Sequence, residues 1–170
     1  NKKILISGHT GFKGSWLSLW MKMLGAKVYG ISISIPTNPS HYELLKLNLE
    51  KDIRMDIYDS KKVLDTISEI KPDYVFHLAA QPLVRLSYKD PLGTWATNVQ
   101  GSLNLLEALK ALEHPCSVVM ITTDKVYENK EWTYGYRELD RLGGYDPYSA
   151  SKAAAEIAIA SWRSSFCGNA

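Results

Sequence analysis

Tyr148 and Lys152 stand four residues apart behind an Asp-Pro pair, and this spacing suits proton chemistry. Asp146 reads as a helix N-cap and Pro147 as the first helical residue. Tyr148 and Lys152 then share one helix face. A tyrosine works as a base near neutral pH only when its phenolate is stabilised, and a cation one turn away does that. The ammonium of Lys152 would also hold the ribose of a nicotinamide. Thr123 follows an apolar run and would hydrogen-bond the same substrate oxygen, at the strand end where ligands bind in open α/β sheets. The blander readings are a surface Tyr-Lys pair and a strand-capping threonine.

Far upstream, Gly8-His9-Thr10-Gly11-Phe12-Lys13-Gly14 lies between an apolar strand (Ile4 to Ile6) and a helix-period stretch. Glycines at this spacing allow a tight turn, close approach to a pyrophosphate and packing of helix on strand. The helix N-terminus adds free N–H donors and positive dipole. A glycine trio alone is also compatible with an ordinary turn; its setting argues for a dinucleotide. The acid usually found about 20 residues further on, where it reads the ribose, is replaced by Ser34. A serine hydrogen-bonds a 2′-hydroxyl but discriminates weakly against a 2′-phosphate, so NAD is the expected cofactor by preference. Asp56 and Ile57 follow the third strand, where this fold commonly contacts adenine. A solvated turn acid is the alternative for Asp56.

The elements that must position these groups alternate. Apolar runs at Ile4–Ile6, Val28–Ile33, Tyr74–Phe76 and Val118–Ile121, with a shorter one at Ile53–Ile57, suit strands covered on both faces. Between them come helices. Trp16, Leu19, Trp20 and Met23 supply an apolar stripe ending at Gly25. Val63, Ile67 and Ile70 follow a cap at Asp59 or Ser60 and stop before Pro72. Leu105, Leu106, Leu109 and Leu112 mark a third helix, and a fourth runs from Pro147 towards Phe166. The pattern predicts an α/β, doubly wound parallel-sheet Rossmann fold of three αβα layers, with residues 1–170 as one NAD-binding domain. Asp124 to Gly144 fits neither period and carries Trp132, Tyr134 and Tyr136, as a binding loop or a satellite aromatic cluster would.

Bulk properties exclude other classes. With 45% hydrophobic and 22% charged residues and a net charge of +2, the chain is globular, and nothing in its balance points to nucleic acid or an acidic membrane surface. No run is long enough to span a bilayer, and the cytoplasm is the expected location. Cys116 and Cys167 have no redox or metal spacing, and the four histidines are scattered, so no metal site is expected.

Together these stretches resemble the extended short-chain dehydrogenase/reductases that act on nucleotide sugars. The resemblance is carried by Gly8-His9-Thr10-Gly11-Phe12-Lys13-Gly14-Ser15-Trp16-Leu17, His77-Leu78-Ala79-Ala80-Gln81-Pro82-Leu83-Val84-Arg85, Thr97-Asn98-Val99, Thr123-Asp124-Lys125 and Gly143-Gly144-Tyr145-Asp146-Pro147-Tyr148-Ser149. It implies a 4,6-dehydration of CDP-D-glucose through an internal hydride transfer, serving dideoxy sugars of bacterial surface polysaccharide. Elimination needs a base for C5–H and an acid for the leaving 6-hydroxyl, which the resemblance assigns to Asp124 and Lys125 without deciding between them. It also implies that Asn98 orders the site, that Leu78, Ala79, Ala80 and Gln81 line the cofactor, and that Gln81 and Arg85 face the sugar nucleotide. A homodimer is implied through the helix after Pro91 and the catalytic helix. The C-terminal substrate lobe of such enzymes is expected to lie outside this sequence. The alternatives are a related dehydratase or 4-epimerase, or a non-catalytic NAD-binding module.

Overall fold

In the computed structural model, which describes residues 1–168, five parallel strands form one sheet. They are β1 (Lys3–Ser7), β2 (Lys27–Ser32), β3 (Lys51–Arg54), β4 (Tyr74–His77) and β5 (Ser117–Met120), ordered β3-β2-β1-β4-β5. The order reverses between β1 and β4, where Ile4 pairs with Tyr74 and Ser7 with His77. In such sheets the crevice at the carboxyl ends of the reversing strands is where ligands bind.

The helices are α1 (Phe12–Met23), α2 (His41–Leu45), α3 (Ser60–Ile70), α4 (Val84–Lys89), α5 (Pro91–Trp95), α6 (Gly101–Leu109) and α7 (Pro147–Phe166). A π-helical turn, Ala96–Gln100, joins α5 to α6, and a 3₁₀ turn spans Asp124–Val126. The chain forms two compact units, Asn1–Ala79 with Asn104–Ile121, and Ala80–Leu103 with the chain from Thr122 onward.

The first unit holds the sheet, and strand alternation divides its core. Leu5, Ile31 and Val75 point to one face and are covered by Val63, Ile67 and Ile70 of α3 and by Leu105 and Ala108 of α6. Each such buried aliphatic side chain contributes roughly 1.5–3 kcal/mol. Ile4, Ile6 and Val28 point to the other face, against Met21 and Leu17 of α1. Asp59 is the cap of α3, accepting from Lys62 N at 3.1 Å. The chain leaves that helix through left-handed Lys71 (φ 50°) just before Pro72.

Three expectations are corrected. The buried face of α1 is Gly14, Ser15, Ser18 and Met21, whereas Trp16, Trp20 and Met23 are 50%, 61% and 77% exposed. The first turn of the helix sits against the Gly8 loop, with no space for a side chain at position 14: a Cβ on Gly14 would lie 2.1 Å from the Gly8 carbonyl oxygen. The third strand is Lys51–Arg54, and Met55 and Ile57 enter the core from the loop and turn beyond it. The fifth strand ends at Met120, so Thr123 is not a strand residue but the N-cap of the 3₁₀ turn.

In the second unit α7 packs against α4, α5, the π turn and the 3₁₀ turn. Asp146 caps α7, its carboxylate accepting from Ser149 N at 3.0 Å and from the Ser149 hydroxyl at 2.6 Å. The stretch that showed no period folds back on itself. Tyr127 bridges Leu142 in antiparallel fashion, with Glu128 N donating to Arg141 O and Gly143 N to Val126 O, each at 2.8 Å.

Candidate functional site

The glycine loop is pinned on several sides. Gly8 has φ +76°, a left-handed conformation glycine adopts without strain, and donates its N–H to Ile31 O at 2.7 Å. A Cβ there would press on Ala79 N at 2.7 Å and on the Leu78 carbonyl carbon at 2.8 Å. The loop and the Leu78-Ala79 segment therefore meet at the switch point between β1 and β4. Ser7 Oγ accepts from Ala79 N at 3.3 Å and touches His77 Nδ1 at 2.6 Å. Thr10 is buried, donating its N–H to Ser32 Oγ at 3.3 Å and its hydroxyl to Ser34 O at 2.7 Å. Gly11, the N-cap of α1, brings no side-chain cap, which leaves first-turn N–H groups for an anion. These residues fit a dinucleotide pyrophosphate. Phe12 and Lys13 are exposed beside them.

His9, inside this loop, holds it to β2 and β3. Its ring is fully buried, with Nδ1 at 3.0 Å from Ser32 Oγ and Nε2 at 2.8 Å from Asp52 Oδ1. Tyr42 and Arg54 share the other Asp52 oxygen, each at 2.7 Å. Burial outweighs the Asp52 charge and holds His9 below the usual histidine range, while burial and Asp52 push Tyr42 up to about 12. A Cβ on Gly30 would lie 2.4 Å from the His9 ring, so β2 needs glycine there.

Ser34 is exposed and serves the loop through its carbonyl oxygen. Asp56 is exposed too, accepting from Tyr58 N at 2.9 Å, the turn-acid arrangement. The Ile57 side chain belongs to the core, and its carbonyl oxygen accepts from Asn104 Nδ2 at 3.1 Å.

In the second unit Tyr148 and Lys152 are both buried on α7. Burial holds the Lys152 ammonium down to about 8, and the Glu156 carboxylate one turn further on opposes it. Asn98 lies in the π turn, a geometry frequent at functional sites. Its oxygen accepts from Gln81 N at 2.8 Å, and its amide donates to Gln81 O at 3.2 Å and to Ser151 Oγ at 2.9 Å. Ser151 in turn donates to Tyr148 O at 2.7 Å. The Gln81 carboxamide is engaged locally, with Thr94 Oγ1 at 2.9 Å and with the Leu83 N–H and carbonyl. These bonds tie the side chain to the start of α4 and to α5. Arg85 stands exposed on α4.

Thr123 donates to Asp124 Oδ1 at 3.0 Å and accepts from Lys125 N at 3.3 Å, so its hydroxyl organises the pair that follows it. Asp124 and Lys125 line a cavity of about 530 Å³ with Tyr127, Asn129, Tyr136 and Asp146. Tyr127 and Tyr136 stack at 5.4 Å, and Tyr136 OH donates to Asn129 Oδ1 at 3.0 Å. The aperiodic segment is thus the wall of a cavity. Thr122 donates its hydroxyl to Glu156. Sequence reasoning passed over Ser151 and Glu156, although Glu156 extends the four-residue repeat of Tyr148 and Lys152. Among the described residues no three His, Cys, Asp or Glu side chains cluster as a metal site would require, and no helix is long and apolar enough to cross a membrane.

Known proteins resemble this chain in sequence and in fold. A CDP-glucose 4,6-dehydratase of Salmonella typhimurium is 52% identical over 97% of this chain and 46% of its own length. A CDP-paratose 2-epimerase of Salmonella typhi is 32% identical over 91% of this chain and 51% of its own. The chain thus spans about half the length of these relatives. Among solved structures, Pal from Bacillus thuringiensis superimposes with a TM-score of 0.86 at 30% identity, covering 97% of this chain and 53% of that one. The UDP-glucose 4-epimerase of Thermus thermophilus, solved with NAD, gives 0.83 at 28% identity over 97% of this chain and 52% of that one. The family model described as GDP-mannose 4,6 dehydratase matches residues 5–168, and the chain belongs to that family.

Proposed function

We propose that this chain is the cofactor-binding and catalytic half of a 4,6-dehydratase that converts CDP-D-glucose to CDP-4-keto-6-deoxy-D-glucose and water. The observation that carries the reading is the cavity in which Asp124 and Lys125 face the cap of the helix bearing Tyr148 and Lys152. The 52% identity to a CDP-glucose 4,6-dehydratase supports the choice of sugar nucleotide.

NAD is the cofactor in this reading. Gly8, Thr10, Gly11, Phe12, Lys13 and Gly14 take its pyrophosphate, Ser34, Asp56 and Ile57 its adenosine end, and Leu78, Ala79, Ala80, Gln81 and Asn98 the region beyond. When bound, it would supply the hydride acceptor for sugar C4 and the hydride donor for C6.

The protein's own groups handle the protons. Tyr148 takes the proton of the 4-hydroxyl as C4 becomes a ketone, with the Lys152 ammonium steadying the phenolate. The ketone acidifies C5–H. Asp124 and Lys125 divide the next two transfers: one removes the C5 proton, and the other protonates the 6-hydroxyl, which leaves as water. The group that took the C5 proton gives it back to C5 once C6 has been reduced. Gln81 and Arg85 contact the sugar nucleotide. The reading extends to a cytoplasmic enzyme that supplies surface-polysaccharide precursors. It also extends to a homodimer formed through the helix after Pro91 and α7, where Leu92, Trp95 and Ile157 are exposed.

Incubating the full-length protein with CDP-D-glucose should yield the near-ultraviolet absorbance that 4-keto-6-deoxy sugars develop in alkali. Product from dTDP-glucose and none from CDP-D-glucose would overturn the substrate choice. An epimerised hexose with no loss of water would overturn the dehydratase reading. Tyr148→Phe should abolish the first oxidation, and full turnover by that variant would sink the mechanism.

A further inference from the structure

Tyr148, Lys152 and Glu156 recur every fourth residue along α7 and share one face. The third has no part in the reaction outlined above, yet two observations tie it to both halves of the site. The half-buried Glu156 carboxylate accepts the hydroxyl of Thr122, the residue that leads directly into Thr123-Asp124-Lys125. Its negative charge also acts on the buried ammonium of Lys152.

Other charged and titratable groups stand on the same helix and on the elements packed against it. Tyr148 lies on α7 itself, Asp124 and Lys125 on the 3₁₀ turn, and Arg85, Tyr88 and Lys89 on α4. Amid these groups, the charge that raises Lys152 against its burial is that of Glu156. Burial favours the neutral amine at Lys152, and a fixed carboxylate one turn away counters that.

Resting on the reading of Tyr148 and Lys152 as the catalytic pair, we propose that Glu156 is a positioning residue with two tasks. It keeps the charge on Lys152, and through Thr122 it anchors the Thr123-Asp124-Lys125 segment to the catalytic helix. A purely structural stitch would need the Thr122 bond alone; the proposal requires the charge as well.

Two variants separate these roles. Glu156→Gln keeps an oxygen to accept from Thr122 but removes the charge, whereas Thr122→Val keeps the charge and removes the bond. NMR titration of selectively labelled lysine in the full-length protein, with the Lys152 signal assigned from Lys152→Met, reads the ammonium directly. In Glu156→Gln the midpoint should fall, raising the neutral fraction at pH 7 about three- to tenfold. The kcat profile on CDP-D-glucose should lose its upper limb at correspondingly lower pH. Glu156→Asp should restore most of both. Thr122→Val should leave the midpoint in place and lower kcat more than it changes KM. A Lys152 titration unchanged in Glu156→Gln would overturn the proposal, as would Thr122→Val turning over like the wild type. A wild-type protein inactive on CDP-D-glucose would instead sink the dehydratase reading, while the titration still judges the charge role of Glu156.

Discussion

The side-chain amide of Asn98 donates to the hydroxyl of Ser151 across 2.9 Å, joining the π turn to the catalytic helix between Tyr148 and Lys152. The same carboxamide holds both the N–H and the carbonyl of Gln81, so one buried side chain fixes three backbone or side-chain groups.

Asn98→Ala should therefore destabilise the protein by about 1–3 kcal/mol, because the part-buried Gln81 N–H loses its acceptor and the buried Ser151 hydroxyl loses one of its two partners. Urea denaturation measures the loss, and kcat should fall in the same variant as the α7 face is released. A stability within about 0.5 kcal/mol of wild type would show that water or a neighbour replaces the amide.

Gly14→Ala should disable the cradle. Its Cβ would fall 2.1 Å from the Gly8 carbonyl oxygen, a backbone atom that moves only with the loop. Loss of NAD affinity by at least about tenfold is expected, which corresponds to about 1.4 kcal/mol. Calorimetric titration with NAD checks this, and an unchanged affinity would mean that the loop does not hold the pyrophosphate.

Stability should rise with pH between about 8 and 10.5. Burial lowers Lys152 from its ordinary 10.5 to about 8 against the opposing charge of Glu156. Across that window the unfolded chain keeps a proton that the folded state has released, so raising the pH favours folding. Below pH 8 both states are protonated and the burial cost stands in full, on the order of 3 kcal/mol. Denaturation midpoints measured over this range should lose that rise in Lys152→Met. Catalysis runs the other way, since the ammonium is needed: kcat should decline as pH passes 8.

Asp146→Ala should cost about 1 kcal/mol, the usual value of an N-cap, while Asp146→Asn should retain most of it. Thermal unfolding distinguishes the two. If both variants unfolded like the wild type, the contact with Ser149 N would contribute nothing to α7.

What the residues alone specified about this protein is local. The alternating strands and helices, the caps at Asp59 and Asp146, the glycine loop and the shared face of Tyr148 and Lys152 follow from spacing within about a dozen residues. Periodicity identified α1 as a helix yet misjudged its buried side, since a period names a face and not its partner. Gly14 faces inward where the Gly8 loop leaves no room for a side chain, while Trp16 and Trp20 stay exposed. Tertiary structure also decided that His9 locks onto Asp52 forty-three residues away, that Thr122 reaches Glu156 thirty-four residues away, and that Asn98 grips Ser151 fifty-three residues away. Those pairings depend on which surfaces the sheet and helices bring within hydrogen-bond reach, and side-chain bonds of that range leave no periodic trace along the chain.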